Sequence, residues 1–523
     1  MKRLVFCVAA VLVASGAARA GGLFVPGYGS QAQPRAGAFV AKADDASALY
    51  YNPAGLAWQK GTSLHLGMNF IDFDQTYQRA GVYETPEEPA DPGMDWIGDP
   101  YPEVSDNSTP AVGVGGFQGI PLFGVATDLG GRIPLPMVFG IGLIADHGFP
   151  EREYQEDYFP DDPDTPPPPQ RYDIIEQDVS AAFPSIAAAY AITDKIALGA
   201  RFSWGFGGSK GTQYLWAIRN YPEDARTDGR FSADLKDNFV PAFALGVHLR
   251  PTPNIEIGAN YNTEKKVHFK GDGQAILGPN VGLGDERDFI APETDFPLCE
   301  GGGSVAALKT CVNFDLPQNA TVGARYVFRD PDGRERGDVE FDVQWEDWSG
   351  ASDLEVIVDG KSGLTGLRLQ PVLVRHGFKD TYSFRLGGAW GFDLGDNRLI
   401  ARAGGAYDTA AAPLTWTRLD VDGMARTTLG LGAGFETGPW RFDLGGGVVL
   451  ESSRTVPECN PDVDNLGCPE PAAGGSETPQ DEREFPDPIQ PLADTNNQVE
   501  SPFNAGTYEQ GYVLFSLGVT YMF

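Results

Sequence analysis

The sequence predicts an all-β protein: a fourteen-stranded antiparallel transmembrane β-barrel with an N-terminal hatch, or plug, inside its lumen. Three observations carry this. Apolar stretches alternate with a period of two, in runs near the roughly 9–11 residues that a tilted strand needs to cross a bilayer. The spacers between runs are short and long in turn, as barrel turns and loops are. The chain closes on an alternating stretch, Tyr512–Phe523, with an aromatic residue at its last position.

Composition narrows the field first. The 523 residues carry 39 Lys+Arg against 72 Asp+Glu, a formal net charge of −33, and 41% are hydrophobic. An acidic balance of this size excludes a nucleic-acid binder that works by neutralising phosphates. No run reaches the roughly 18 apolar residues of a membrane helix. A secreted β protein, a multidomain periplasmic protein and an outer-membrane barrel remain.

Residues 1–20 read as a secretory signal peptide. Lys2 and Arg3 precede the uncharged apolar run Leu4–Ala14, and Ala18-Arg19-Ala20 places small residues at the cleavage positions, so the mature chain starts at Gly21. Cys7 lies inside the apolar run, away from the cleavage point, which argues against a lipoprotein.

Residues 21–61 do not alternate. They are rich in Gly and Ala, with Phe24, Phe39, Tyr50 and Tyr51 as larger anchors. Small residues and short helical turns suit a plug in a narrow lumen, with Asp44 or Asp45 able to cap a helix.

Barrel strands then follow over 62–523. In the first, Leu64, Leu66, Met68 and Phe70 form the outward set and His65, Gly67 and Asn69 the other. Expected cores are 62–74, 119–129, 133–147, 173–192, 195–214, 238–250, 254–271, 312–329, 337–358, 379–394, 397–409, 425–437, 439–454 and 508–523. Pro134 and Pro136 open the third, at positions where a ladder would be broken by proline. The fifth sets Ile196, Leu198, Ala200, Phe202, Trp204 and Phe206 against Gly199, Arg201, Ser203 and Gly205. The ninth sets Val339, Phe341, Val343 and Trp345 against Asp338, Glu340, Asp342, Gln344 and Glu346. A soluble sandwich also alternates. Strand length, Gly and charge on the polar face, and aromatic residues capping the apolar face favour the membrane barrel.

The long spacers are acidic. Val456–Glu500 holds 11 acids and one base, and Pro150–Asp173 holds 8 acids and the run Pro166–Pro169. Such segments lack the apolar surface to fold alone and are expected to be solvated. Divalent-cation bridging to lipopolysaccharide, or weak sites such as Asp462/Asp464, is the less favoured reading. Four cysteines outside the leader fall in two local pairs, Cys299 with Cys311 and Cys459 with Cys468, which in an exported chain are candidate disulfides. His65, His147, His248, His268 and His376 are scattered, and no Gly-x-Ser-x-Gly elbow accompanies them, which argues against a hydrolase. No metal site and no cofactor motif is read. A barrel of this size left open would leak, so a filled lumen is expected.

The segment from Ala43-Asp44-Asp45-Ala46 to Asn52-Pro53-Ala54-Gly55-Leu56 resembles the N-terminal hatch of the FadL family of outer-membrane long-chain fatty acid transporters, which includes aromatic-hydrocarbon uptake proteins. Further resemblances follow in family order: Tyr261-Asn262-Thr263-Glu264 to Phe269-Lys270-Gly271, Leu316-Pro317-Gln318-Asn319-Ala320-Thr321-Val322-Gly323, Phe378-Lys379-Asp380-Thr381-Tyr382 with Leu386-Gly387, Arg402-Ala403-Gly404 to Tyr407-Asp408, and the terminal Phe523. They span nearly the whole mature chain.

This resemblance implies passive uptake of a hydrophobic small molecule, a fatty acid or an aromatic hydrocarbon. Release would be sideways into the membrane through a kink in the third strand. Asn52, Pro53 and Ala54 match the hatch motif facing that kink, and Gly140 and Gly142 are the candidate kink residues. Leu23 or Phe24 stands where the family has an aromatic near the mature N-terminus. Arg375 resembles a basic residue that contacts an acidic ligand head, with Lys210 a weaker analogue. Implied partners are outer-membrane lipid, lipopolysaccharide and the barrel assembly machinery, with no nucleic acid and a monomeric state. A general porin or a structural outer-membrane protein is the alternative from a different class.

Overall fold

The computed structural model describes residues 27–83, 95–110, 112–132, 135–145, 151–154, 165–215, 228–276, 290–293, 297–299, 308–362, 368–369, 371–421, 423–456 and 505–523. The expected leader therefore lies outside the described residues.

Among the described residues one antiparallel sheet of fourteen wall strands closes on itself. They are β1 (Thr62–Arg79), β2 (Phe117–Thr127), β3 (Met137–Ile144), β4 (Glu176–Ala191), β5 (Ile196–Leu215) and β6 (Gly229–Thr252). Four more come in two pieces each: β7 (Ile255–Asn262 and Lys265–Ile276), β8 (Leu308–Leu316 and Asn319–Arg329), β9 (Glu335–Glu346 and Asp353–Ser362) and β10 (Val372–Arg375 and Thr381–Leu394). The last are β11 (Asn397–Asp408), β12 (Arg426–Thr437), β13 (Trp440–Glu451) and β14 (Gly506–Met522). Closure is made by β14 against β1, in register from Ser63↔Met522 to Arg79↔Gly506. A closed wall leaves no sheet edge, so the backbone polar groups facing lipid are satisfied within the sheet.

Alternation decides which side of each strand meets lipid. On β14, Val513, Phe515 and Leu517 are exposed on the outside, whereas Ser516 and Thr520 are buried within. On β9, Val339 and Phe341 face out, and the carboxylates of Asp338, Glu340 and Asp342 are buried in the lumen. Aromatic residues gather at the two rims, as Trp440 with Tyr521 at 4.5 Å at one end and Trp204 with Phe239 at 6.0 Å toward the other. The N–H of Phe523 donates to the Thr62 carbonyl at 2.8 Å, fastening the end of the chain to the first strand.

Several expected boundaries move. The third strand begins at Met137, after Pro136, and the expected positions 133–134 and 146–147 lie outside the described residues. The sixth begins at Gly229, well ahead of 238, because its outer half pairs with the second piece of β7. The interruptions in β7 to β10 sit side by side, and they coincide with Asn262–Glu264, Pro317–Asn319 and Phe378–Thr381. A polar seam runs there: Arg201 donates to Asn262 Oδ1 at 3.0 Å, Asn262 Nδ2 to Asn319 Oδ1 at 2.9 Å, and Gln318 Nε2 to Asp347 Oδ2 at 2.6 Å. Where the ladder lapses, side-chain amides and carboxylates take over its hydrogen bonding.

The expectation of solvated loops is corrected where the chain is described. Pro167–Ile175 are buried. A proline run offers carbonyls and no N–H, so side-chain donors satisfy it. The Tyr83 hydroxyl donates to Pro167 O at 2.8 Å and Arg79 to Pro169 O at 3.4 Å. This segment packs with residues 414–424 into an apolar cluster of Tyr77, Val104, Tyr154, Ile174, Leu419, Met424, Val456 and Tyr508 that covers the long-loop end. Asp173 ties the two loops, accepting from Arg418 at 3.1 Å and from the Leu419 N–H at 2.5 Å. Burial, only partly opposed by Arg418, pushes the Asp173 carboxyl up to about 6.

Of the two expected disulfides, the one between Cys299 and Cys311 is present, in the outer extension of β8. The other does not join it among the described residues. Cys459 and Cys468 both lie outside them, in the segment between β13 and β14.

Candidate functional site

Residues 27–61 lie inside the wall and fill it. They contain a short helix, α1 (Ala48–Tyr51), and 3-10 turns at Gln33–Arg35 and Pro53–Trp58. So little regular structure leaves backbone N–H groups to be satisfied by side chains. β9 supplies them: Asp342 accepts from the N–H groups of Phe39 and Val40 at 2.8 and 3.1 Å, and Glu340 from those of Ala41 and Lys42 at 2.6 and 3.2 Å. The buried Arg35 guanidinium reaches Asp338 at 2.6 Å and Glu340 at 3.0 Å. On the far wall Arg441 meets Asp45 at 2.6 Å. Asp45 also accepts from the Ser47 N–H at 2.8 Å, but the cap position of α1 is Ser47 and no side chain caps the helix, so neither candidate acid does so; Asp44 pairs with Lys42 at 2.7 Å.

Asn52, Pro53 and Ala54 pack on β5 and β6. The Asn52 amide donates to Val40 O and Val247 O, each at 3.0 Å, and its Oδ1 accepts from the Ala54 N–H at 3.1 Å. A Cβ on Gly199 would stand 2.3 Å from Ala54 N, and one on Gly246 would stand 2.2 Å from Asn52 Oδ1, so only glycine permits this approach. The motif therefore does not face the third strand. Leu49 and Leu56 do: a Cβ on Gly140 would meet their side chains at 2.9 and 3.1 Å, and one on Gly142 would meet Leu49 at 2.7 Å.

Gly140 and Gly142 also do not kink β3. Its pairing with β2 and β4 runs through both without a shift of register, and the missing side chains serve to seat the plug. Among the described residues the last rungs of β3 are Leu143 with Phe123 and Ile144 with Phe183. Residues 146–150 lie outside the described residues, and beyond them Arg152 and Glu153 pair with Gln177 and Glu176 of β4. Pro121 pairs with Met68 of β1 and lies beyond the last described rung with β3, where proline has no N–H to give a ladder.

Inside this part of the wall the lumen is apolar. Ile120, Leu122, Val179, Phe183, Leu235, Val240, Val267 and Phe269 are buried in one cluster with Tyr28, Leu49 and Leu56 of the plug. Lys265, also buried, holds its ammonium 4.4 Å from the centre of the Phe183 ring. The cavity at the short-turn end is different in kind. Its volume of about 510 Å³ is lined by Asp44, Lys195, Arg250, Glu256, Arg325 and Glu335, a polar vestibule below the plug.

The remaining candidates scatter. Lys210 is exposed on β5, opposite Asp178 and Asp234. Arg375 ends the short first piece of β10 and pairs with Asp353 in the outer extension of the wall. Neither Lys210 nor Arg375 is brought to Asn52, Pro53 and Ala54 by this placement. Leu23 and Phe24, like Cys459 and Cys468, lie outside the described residues. Sequence reasoning overlooked the contacts of Tyr28 and Asn69 with Pro121, Ala145 and Ile120 at the end of β3, and the anchoring role of Arg35. The available signals were a proline inside the second strand and three alternate acids on the polar face of the ninth.

Comparison with known proteins adds the following. The family model for outer membrane protein transport proteins (OMPP1/FadL/TodX) matches residues 167–462. No curated relative matches the chain. Among solved structures, a Pseudomonas aeruginosa FadL homologue is similar with a TM-score of 0.67 at 17% identity, over 96% of this chain and 100% of that one. The Ralstonia pickettii toluene transporter TbuX is similar at 0.58 and 15%, over 95% and 99%. The Pseudomonas putida toluene transporter TodX is similar at 0.56 and 16%, over 96% and 99%. At these identities the likeness is one of fold.

Proposed function

The chain belongs to the outer membrane protein transport protein family (OMPP1/FadL/TodX), whose members carry hydrophobic substrates across the outer membrane, and we propose that it takes up long-chain fatty acids and releases them sideways into the bilayer. The observation that supports this reading is the apolar stretch of lumen between the plug and the wall, next to the last described rungs of β3. Each methylene moved from water into such a lining gains about 0.8 kcal/mol. A cargo that leaves through the wall enters lipid without crossing water, so the path stays downhill for greasy molecules and needs no energy source.

The filled bore works against a general porin, and the segment 27–61 is read as the hatch. A ligand that binds better when the hatch has shifted would draw it toward the open arrangement. Lys265 supports a cargo with a carboxylate. Its buried ammonium stands 4.4 Å from the centre of the Phe183 ring at the edge of the apolar cluster, where charge interactions are strengthened by the low dielectric.

The test is binding and uptake by the purified barrel in proteoliposomes, with a long-chain fatty acid and toluene offered in parallel. Lys265→Ala should weaken fatty acid binding about tenfold and leave toluene binding unchanged. Saturable binding of toluene alone, or equal loss of both in the variant, would overturn the fatty acid reading. Ion conductance of porin size in the intact protein would overturn the hatch.

A further inference from the structure

His248 stands on the lumen side of β6 and is fully buried. Two stretches of the plug meet on its ring. Trp58, at the end of the 3-10 turn that follows Asn52, donates its indole N–H to Nδ1 at 2.9 Å. Nε2, on the other edge, lies 2.7 Å from the Ala41 carbonyl oxygen. An indole N–H only donates and a carbonyl only accepts. The ring is therefore neutral, with its single proton on Nε2 and a bare lone pair on Nδ1. No other protonation state serves both partners. An imidazolium would point a second N–H at the Trp58 N–H and end that bond.

The charged groups around the ring offer a second proton no counter-ion. They are Arg250 on β6 itself, Glu256 on β7, Arg325 on β8 and, close to Ala41 in the plug, Lys42 and Asp44. Glu256 is shared between Arg250, at 3.1 Å, and Arg325, and Asp44 is taken by Lys42 at 2.7 Å. Water nevertheless reaches the site from one side. Arg250 and Glu256 line the polar vestibule of the short-turn end, the Arg250 guanidinium lies 4.3 Å from the centre of the Trp58 ring, and Trp58 is only half-buried. What the ring holds is the lower end of the plug. Glu340 grips the Ala41 N–H from β9 at 2.6 Å, so the Ala41 carbonyl on His248 makes a second tie across the bore. Past Trp58 the Gln59 N–H closes the turn on Leu56 O at 3.0 Å, and the chain leads into β1.

We propose that His248 is an acid-operated latch between the plug and β6: neutral, its ring fastens the Trp58 turn and the Ala41 carbonyl together; protonated, it drops Trp58 and frees the lower end of the plug toward the vestibule. The bond to Trp58 needs the neutral ring, so its contribution is present at high pH and is lost as pH falls through the histidine range. The Ala41 bond survives, because Nε2 keeps its proton in both states. The latch therefore opens on one side only, at the turn that carries Asn52, Pro53 and Ala54. His248 is a positioning residue and touches no cargo. This inference rests on the reading of residues 27–61 as the hatch.

The experiment compares the wild-type barrel with His248→Gln in lipid bilayers at about pH 7.5 and about pH 4.5, on either side of the ordinary histidine value of about 6.5. Hydrogen exchange is read at the Trp58 indole N–H and at the Gln59 amide, corrected for the intrinsic effect of pH, and ion conductance is read alongside. In the wild type, loss of one hydrogen bond should lower protection at both sites by roughly three- to tenfold at the acid pH. Glutamine offers a donor and an acceptor without titrating, so His248→Gln should show no such step. A histidine that only packs the plug would give equal protection at the two pH values, and that result overturns the proposal. An acid step that persists in His248→Gln overturns it too, since another group then carries the response. Should the variant fail to assemble, the ring signals of His248 in the wild type decide: they should titrate over the same interval in which the indole loses protection, and separate intervals overturn the proposal. Conductance keeps the two claims apart. Porin-sized conductance at about pH 7.5 removes the hatch, and the latch with it, whereas a closed barrel whose indole protection ignores pH removes the latch alone.

Discussion

Glu340 takes the N–H of Ala41 at 2.6 Å, with the Glu340 side chain fully buried, so a carboxylate of the wall serves as a backbone partner for the plug. Asp342 repeats this two residues along, as the strand period requires, and Arg35 closes the set from the plug side. Buried charges are costly unless they are paired and hydrogen-bonded, and here each group supplies what the other lacks. The plug is thus clamped on β9 and steered against β3 and β5 by its small residues.

Arg35→Ala should loosen the plug and spare the wall. Breaking a buried ion pair from one side costs about 3–5 kcal/mol. The barrel should keep its folded gel mobility, while limited proteolysis cuts within residues 27–61 and ion conductance rises. Unchanged protection of that segment would show that the clamp lies elsewhere.

Gly199→Ala places a methyl group 2.3 Å from Ala54 N. Overpacking of this kind costs about 1–3 kcal/mol. The expected result is a wall with unaltered circular dichroism whose plug is displaced, seen as a drop in uptake and faster exchange at the Ala54 amide. Gly446→Ala on β13, where the nearest neighbour of an added Cβ is 3.8 Å away, is the control for the general effect of substituting a wall glycine.

The cap over the long-loop end should loosen as pH rises. The Asp173 carboxyl, pushed up to about 6, lies above its unfolded value. Its contribution is fully present below the ordinary carboxylate range and is lost as pH rises through about 6. Exchange at the Leu419 amide, corrected for its intrinsic pH dependence, should therefore be faster at pH 7.5 than at pH 4.5, values chosen roughly to bracket that transition. Asp173→Asn should flatten the difference. A difference of the opposite sign would mean that the Arg418 pairing outweighs burial.

Reduction should act locally. The Cys299–Cys311 bond closes a loop with a sequence separation of 12, and such links contribute about 2–4 kcal/mol. Reducing agent should raise exchange in the outer pieces of β8 and β9 and leave β11 to β14 untouched. Labelling of both thiols in unreduced protein would show that the link does not form.

Much of the wall was legible because its signal is local. Leu64 and Leu66, or Val513 and Phe515, announce their side of the sheet through neighbours two positions away, and lipid rewards that period directly. Short turns at 192–195 and 437–440 could be read for the same reason. The buried proline segment could not: Pro167–Pro169 look like solvated chain until Tyr83 and Arg79 are seen to supply their donors. Gly140 and Gly142 were readable as special positions, yet their purpose depends on Leu49 and Leu56, which no pattern within β3 can name.

By itself the sequence determined a closed, outward-greasy wall and a leading segment unlike it, since alternation and composition are properties of each stretch alone. Only the tertiary structure decided which carboxylates hold the plug and that the Tyr28 hydroxyl joins the Pro121 carbonyl and the Ala145 N–H. Phe39 and Asp342 lie 303 residues apart, and a contact of that span leaves no periodic trace in either segment, because it is set by the diameter and register of the whole barrel.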